Sequence, residues 1–104
     1  MSPQNALDLL ILKTLQSGPN HGFGITLHIQ RVSDGLLSVE EGSLYPALRR
    51  LERDRFLSAK WTTTDNNRRA RVYSLTKKGR ERLAEEQQGW VSLSAGVSKI
   101  LGYA

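Results

Sequence analysis

The sequence contains no cysteine, one methionine and two histidines, His21 and His28. No disulfide framework and no thiolate metal site can form, and two histidines do not make a histidine-rich one. Long apolar runs are missing as well. Stretches such as Leu9–Leu12 are core-sized, far short of the ~20 residues of a membrane helix. The opening MSPQNALDLL lacks the basic stretch of a signal peptide. Catalytic signatures are equally absent: there is no nucleophile–base arrangement, no GxGxxG, no P-loop and no carboxylate cluster. Glu40-Glu41 and Glu85-Glu86 read as helix-terminal or solvated charges. These absences lead to the expectation of a soluble cytoplasmic protein that is not an enzyme, needs no metal or other cofactor and meets no membrane.

What is present is basic charge, unevenly placed. The 104 residues carry 15 Lys and Arg against 10 Asp and Glu, a formal charge of +5. Between Arg49 and Arg82 there are 12 basic and 4 acidic residues, so that stretch is +8 and the remainder is −3. A basic segment in a slightly acidic chain is the footprint of a nucleic-acid face.

Periodicity gives the elements. Residues 5–16 read as a helix: Leu7, Leu10, Ile11 and Leu15 share a stripe that Leu9 and Leu12 widen. Ser17-Gly18-Pro19-Asn20 is a stop and turn. A second helix spans 22–34, with Ile25, Ile29 and Val32 on one face, and ends near Asp34-Gly35. A third covers about 39–54, with the stripe Leu44, Ala47, Leu48 and Leu51; Ser38 followed by Glu41 resembles a capping box. Pro46 allows two readings. A start at Ser38 puts it inside the helix as a kink, whereas a start near Gly42 puts it in the first turn. Runs 56–63 and 70–76 read as strands around a polar tip, Thr64-Asp65-Asn66-Asn67-Arg68-Arg69, hence a hairpin. The last helix runs from about Lys77 to Gly102, and Trp90, Leu93, Val97 and Ile100 form a heptad-like seam in its second half. The order predicts a mainly α (α+β) fold, a winged helix-turn-helix with a C-terminal dimerisation helix. On this plan residues 1–76 are expected to form a DNA-binding unit, with the wing hairpin at about 56–76, and 77–104 a dimerisation helix.

On a helical wheel, Gly42, Pro46, Arg49 and Arg53 lie opposite the apolar stripe of the third helix, with Ser43, Tyr45 and Arg50 on the flanks. Arginine can bond guanine O6 and N7 in bidentate fashion, and Ser and Tyr can reach phosphates or base edges. Exposed arginines also serve as an ordinary solvated face, and Arg49, Arg53, Glu52 and Asp54 could pair among themselves. The same two readings hold for Arg68, Arg69 and Arg71 on the hairpin, which either reach phosphates and a minor groove as a wing or keep a loop soluble. A basic helix followed directly by a basic hairpin favours the DNA reading. The alternative is a winged-helix protein-interaction module whose basic face meets an acidic protein.

The run Gly42-Ser43-Leu44-Tyr45-Pro46-Ala47-Leu48-Arg49-Arg50-Leu51-Glu52 resembles the recognition-helix signature of PadR-type transcriptional regulators. Asn20-His21-Gly22-Phe23 with Ile25, Trp61, and Arg71-Val72-Tyr73-Ser74-Leu75-Thr76 followed by Gly79 and Leu83 resemble further segments of that family, over roughly residues 7–83. The resemblance implies a homodimeric winged-helix protein, usually a repressor, on pseudo-palindromic double-stranded DNA. It implies that Ser43, Tyr45 and Arg49 face DNA, that His21 and Gly22 approach its backbone, and that Asn67–Arg69 form the wing tip. Phe23 stands where the family commonly has Tyr, which removes a hydroxyl. Arg55 stands where Gly often closes the third helix; if left-handed, it costs about 1 kcal/mol. Some members bind flat aromatic compounds at the dimer interface, so Trp90 has two readings, a stacking platform for a planar aromatic effector or an interface anchor alone. The seam Trp90-Leu93-Val97-Ile100 meets a second copy, packs back on the first helix, or does both, since Val91 and Leu101 give the helix a second apolar side.

Overall fold

The computed structural model describes residues 3–63 and 65–103. Helices α1 (Pro3–Gln16), α2 (Gly22–Val32) and α3 (Glu41–Arg53) precede a hairpin of β2 (Leu57–Thr63) and β3 (Arg69–Leu75), and α4 (Lys77–Leu101) follows. A two-residue strand β1 (Asn20–His21) completes a three-stranded antiparallel sheet in the order β1-β3-β2. The apolar stripes of α1, α2 and α3 converge on one core, except that Val32, expected on the α2 stripe, is exposed. Ile11, Leu12 and Leu15 of α1, Ile25 and Ile29 of α2, and Leu44, Leu48 and Leu51 of α3 pack with Leu57, Tyr73, Leu75 and Leu83.

The expected elements form, with shifted ends. Helix α2 stops at Val32, two residues early. Asp34 takes a left-handed conformation (φ 55°), and the N–H groups of Asp34 and Gly35 donate to the carbonyls of Arg31 and Gln30. This double closure satisfies carbonyls that the helix end leaves open. Helix α3 starts at Glu41, and its N-cap Glu40 makes no side-chain capping bond. The expected Ser38–Glu41 capping box therefore does not form, because Ser38 lies two residues before the cap. Pro46 becomes the sixth helical residue, past the first turn. It deprives the Gly42 carbonyl of its i+4 donor, and both residues lie on the exposed side, where water can serve that carbonyl. Asn20, expected in the turn, instead forms a strand with His21, pairing with Tyr73 and Val72. Thr64, expected at the hairpin tip, lies outside the described residues.

Helix α3 ends in the same way as α2. Arg55 is left-handed (φ 65°), with its N–H donating to Glu52 O and that of Phe56 to Leu51 O. Arginine there costs about 1 kcal/mol against glycine. This junction also seats α4. The Thr76 hydroxyl accepts from the Gly79 N–H at 2.9 Å and donates to Arg55 O at 2.8 Å. A Cβ on Gly79 would stand 2.1 Å from Phe56 O, so only glycine lets α4 start this close to the hairpin.

Beyond Leu83, α4 leaves the core. The chain extends over 53 × 29 × 23 Å with a radius of gyration of 14.9 Å. A compact domain of this length has about 13 Å. Trp90, Leu93, Val97 and Ile100 remain 43%, 38%, 45% and 86% exposed, while α4 also packs against α1. No helix among the described residues is long and apolar enough to cross a membrane.

Candidate nucleic-acid interface

The inner half of the hairpin alternates between core and solvent; Leu57, Tyr73 and Leu75 are buried. The outer half is less covered, and residues 60–63 and 69 are exposed. Asn67 turns the tip in a left-handed conformation (φ 60°) that asparagine tolerates well. The hairpin is therefore a protruding wing. Antiparallel pairing of β1 to β3 ties its base to the start of α2.

Wing, α2 and α3 enclose a groove of about 490 Å³ lined by His21, Gly22, Tyr45, Trp61, Arg69 and Tyr73, among others. His21 caps α2: its Nδ1 accepts from the Gly24 N–H at 3.0 Å, which leaves the ring hydrogen on Nε2 as a donor. Gly22 is buried beneath Tyr45, and a Cβ there would lie 2.7 Å from the Tyr45 hydroxyl oxygen. The missing side chain leaves room for the Tyr45 ring. Burial pushes the Tyr73 phenol above its usual value, against the pull of Arg71, so it stays a neutral hydroxyl.

The wheel positions sort the α3 side chains by neighbour. Ser43, Pro46, Arg49 and Arg53 are exposed. Arg49 has no ion pair among the described residues, and Arg53 touches Asp54 at 3.4 Å. Tyr45 and Glu52, seven residues apart, face the wing, where Glu52 pairs with Arg71 at 2.5 Å. Arg50 is not brought together with the other expected DNA-facing residues. It lies on the opposite flank and ion-pairs with Asp8 of α1. Asp8 sits in an apolar helix, and burial raises its carboxyl above the usual 3.8 despite the opposing pull of Arg50. Neither pair was anticipated. A lone acid in ALDLLILKTL was the available sign, since a half-buried carboxylate needs a partner.

Arg50→Ala is expected to cost about 1–3 kcal/mol of stability by leaving Asp8 half-buried and unpaired. Without Arg50 the Asp8 pKa in the folded state rises further above its unfolded value. A raised carboxyl pKa destabilises the fold only where the group must ionise. The deficit in chemical denaturation should thus be largest at neutral pH and shrink as pH falls toward 4. A deficit that does not change with pH would rule out the Asp8 link.

A helix-turn-helix pair with a small antiparallel sheet and a protruding wing defines a mainly helical winged-helix protein. A family model described as the transcriptional regulator PadR-like family matches residues 11–85. The chain belongs to this family of transcriptional regulators. It is 32% identical to a PadR-like transcription factor from Bacteroides fragilis, with a TM-score of 0.74 over 93% of this chain and 91% of that one. Bacillus subtilis PadR, solved in complex with operator DNA, is 25% identical, with a TM-score of 0.70 over 77% of this chain and 45% of that one. An uncharacterized 37.1 kDa protein in transposon TN4556 of Streptomyces fradiae is 37% identical over 93 residues, which is 89% of this chain. The chain spans 25% of that relative's length.

Proposed function

We propose that this chain is a sequence-specific DNA-binding repressor that acts in the cytoplasm as a homodimer on a pseudo-palindromic operator. One observation carries the reading: the start of α2, Tyr45 of α3 and the basic wing border a single open groove, and Arg49 on the outward face of α3 and Arg69 on the wing have no carboxylate partner among the described residues. Ser43, Tyr45, Arg49 and Arg53 enter the major groove, where Arg49 reads a base edge and Pro46 packs alongside. His21, Asn67, Arg68 and Arg69 contact the backbone or the flanking minor groove. Arg71 supports the wing from Glu52, and Arg50 holds α3 to α1. Residues 1–76 form the reading unit and 77–104 the dimerisation helix, whose Trp90-Leu93-Val97-Ile100 seam meets its copy. That a related PadR protein was solved on operator DNA supports this reading.

A planar aromatic effector stacking on Trp90 at the seam would release the DNA. The test is a binding titration at several salt concentrations, repeated with planar aromatic compounds present. The logarithm of the affinity should fall linearly with log salt, by about 0.9 per phosphate neutralised. A slope near zero, or binding that depends on an acidic protein instead, would contradict the reading; aromatic compounds that leave binding unchanged would remove the effector from it.

A further inference from the structure

Trp61 on β2 is 54% exposed, a costly place for an indole that serves no packing purpose. Two guanidinium groups lie over its ring, Arg69 at 4.9 Å and Arg71 at 5.6 Å from the centroid. The strand register explains the arrangement. Trp61 stands opposite Arg71, and Arg69 lies two residues along β3 on the same face. Two like charges on one ring repel each other, but Glu52 neutralises Arg71 from α3. Arg69 has no carboxylate partner among the described residues, and it lines the groove shared with His21 and Tyr45. A continuous chain of contacts therefore runs from the reading helix to the wing: Glu52, Arg71, Trp61, Arg69.

We propose that Trp61 is a positioning residue for DNA binding. Its ring holds the Arg69 guanidinium over the groove between the wing and the start of α2, ready to bond a backbone phosphate. An arginine already stacked in place loses less rotamer freedom on binding than one free in solvent. This inference rests on the DNA-binding reading and adds a residue to it. Because phosphate contacts position a protein without reading sequence, Trp61 governs affinity and its salt dependence rather than base preference.

The experiment is a double-mutant cycle on the full chain, Trp61→Ala, Arg69→Ala and both together, measured by fluorescence anisotropy on labelled duplex across a salt series. Trp61→Ala should weaken specific and non-specific duplex alike, by about fivefold, and lower the salt slope by about 0.9. The double variant should bind no more weakly than Arg69→Ala alone, and Trp61→Phe, which keeps a π face, should fall between Trp61→Ala and the native protein. Thermal unfolding should not change. Additive losses, or a Trp61→Ala slope equal to that of the native protein, would overturn the proposal.

A second measurement keeps the ring in place. With Trp90→Phe, Trp61 is the remaining tryptophan, and its emission should shift along the DNA-binding isotherm. Emission that stays constant through saturated binding would also overturn the assignment. Native protein with no salt-dependent binding would instead defeat the DNA-binding reading itself, whereas native binding with additive losses would defeat the Trp61 assignment alone.

Discussion

Trp90→Asp is expected to convert a two-chain particle into single chains and to lower operator affinity by about 10²–10⁴-fold. The second half of α4 stands clear of the core with Trp90, Leu93, Val97 and Ile100 exposed along one seam. An isolated helical segment of that length is marginal in water, and its heptad spacing is what a partner helix requires. A charge in the middle of such a seam would be desolvated without compensation. The DNA effect follows from geometry: with two half-sites engaged by one particle, the second contact is intramolecular, and losing the dimer removes that gain. Light scattering gives the mass and anisotropy the affinity. An unchanged two-chain mass would take the seam out of the interface.

Arg49→Ala is the second large effect, and it falls on specificity. Arg49 is exposed on the outer face of α3 without an ion pair among the described residues, so its removal should leave stability within about 0.5 kcal/mol of the native value. If it makes a bidentate contact to guanine, its loss costs about 1–3 kcal/mol at one base pair and relaxes the preference there. Arg68→Ala on the wing should instead weaken all sequences evenly. Competition against operators substituted at single positions separates the two patterns. An Arg49→Ala protein with native affinity and base preference would remove this residue from the reading face. The neighbouring Arg50→Ala should behave oppositely, losing stability first, because its guanidinium is committed to Asp8.

The contrast between Arg49 and Arg50 marks how far the sequence could be read. The third helix was legible because Leu44, Ala47, Leu48 and Leu51 alternate cleanly with charged residues, and that stripe fixes which side faces out. The destination of a flanking side chain was not legible, since Asp8 is 42 residues away and only the packing of α1 on α3 brings it near. The hairpin was visible in its two β-rich runs to within one residue. Strand β1 was not visible, because two residues become a strand only through their partners Tyr73 and Val72. Stacking of Arg69 and Arg71 on Trp61 needed a cross-strand register that the turn-rich tip left open by a residue or two. The helix ends moved where left-handed residues intervene. Asp34 carries a conformation usually given to glycine and its residue type gave no warning, whereas the left-handed Arg55 stands where the family resemblance already pointed to a helix-closing glycine.

Charge, by contrast, kept its meaning on passing from sequence to structure. The segment from Arg49 to Arg82, +8 by count, becomes the outer end of α3, the wing and the start of α4. Part of it is spent internally, in Arg50–Asp8, Arg71–Glu52 and Arg82–Glu86. The cations left over, Arg49 and Arg69 among them, border the groove and the outward face of α3.

Selection from a library of random duplexes by the native protein tests sequence-specific recognition most directly, because it assumes nothing about where the operator lies. The expected result is enrichment of one pseudo-palindrome whose half-sites are about one helical turn, or a whole number of turns, apart. With Arg49→Ala the same pseudo-palindrome should emerge with its preference relaxed at the base pair that Arg49 reads. A folded native protein that binds the library without enriching any sequence would contradict a specific DNA-binding regulator.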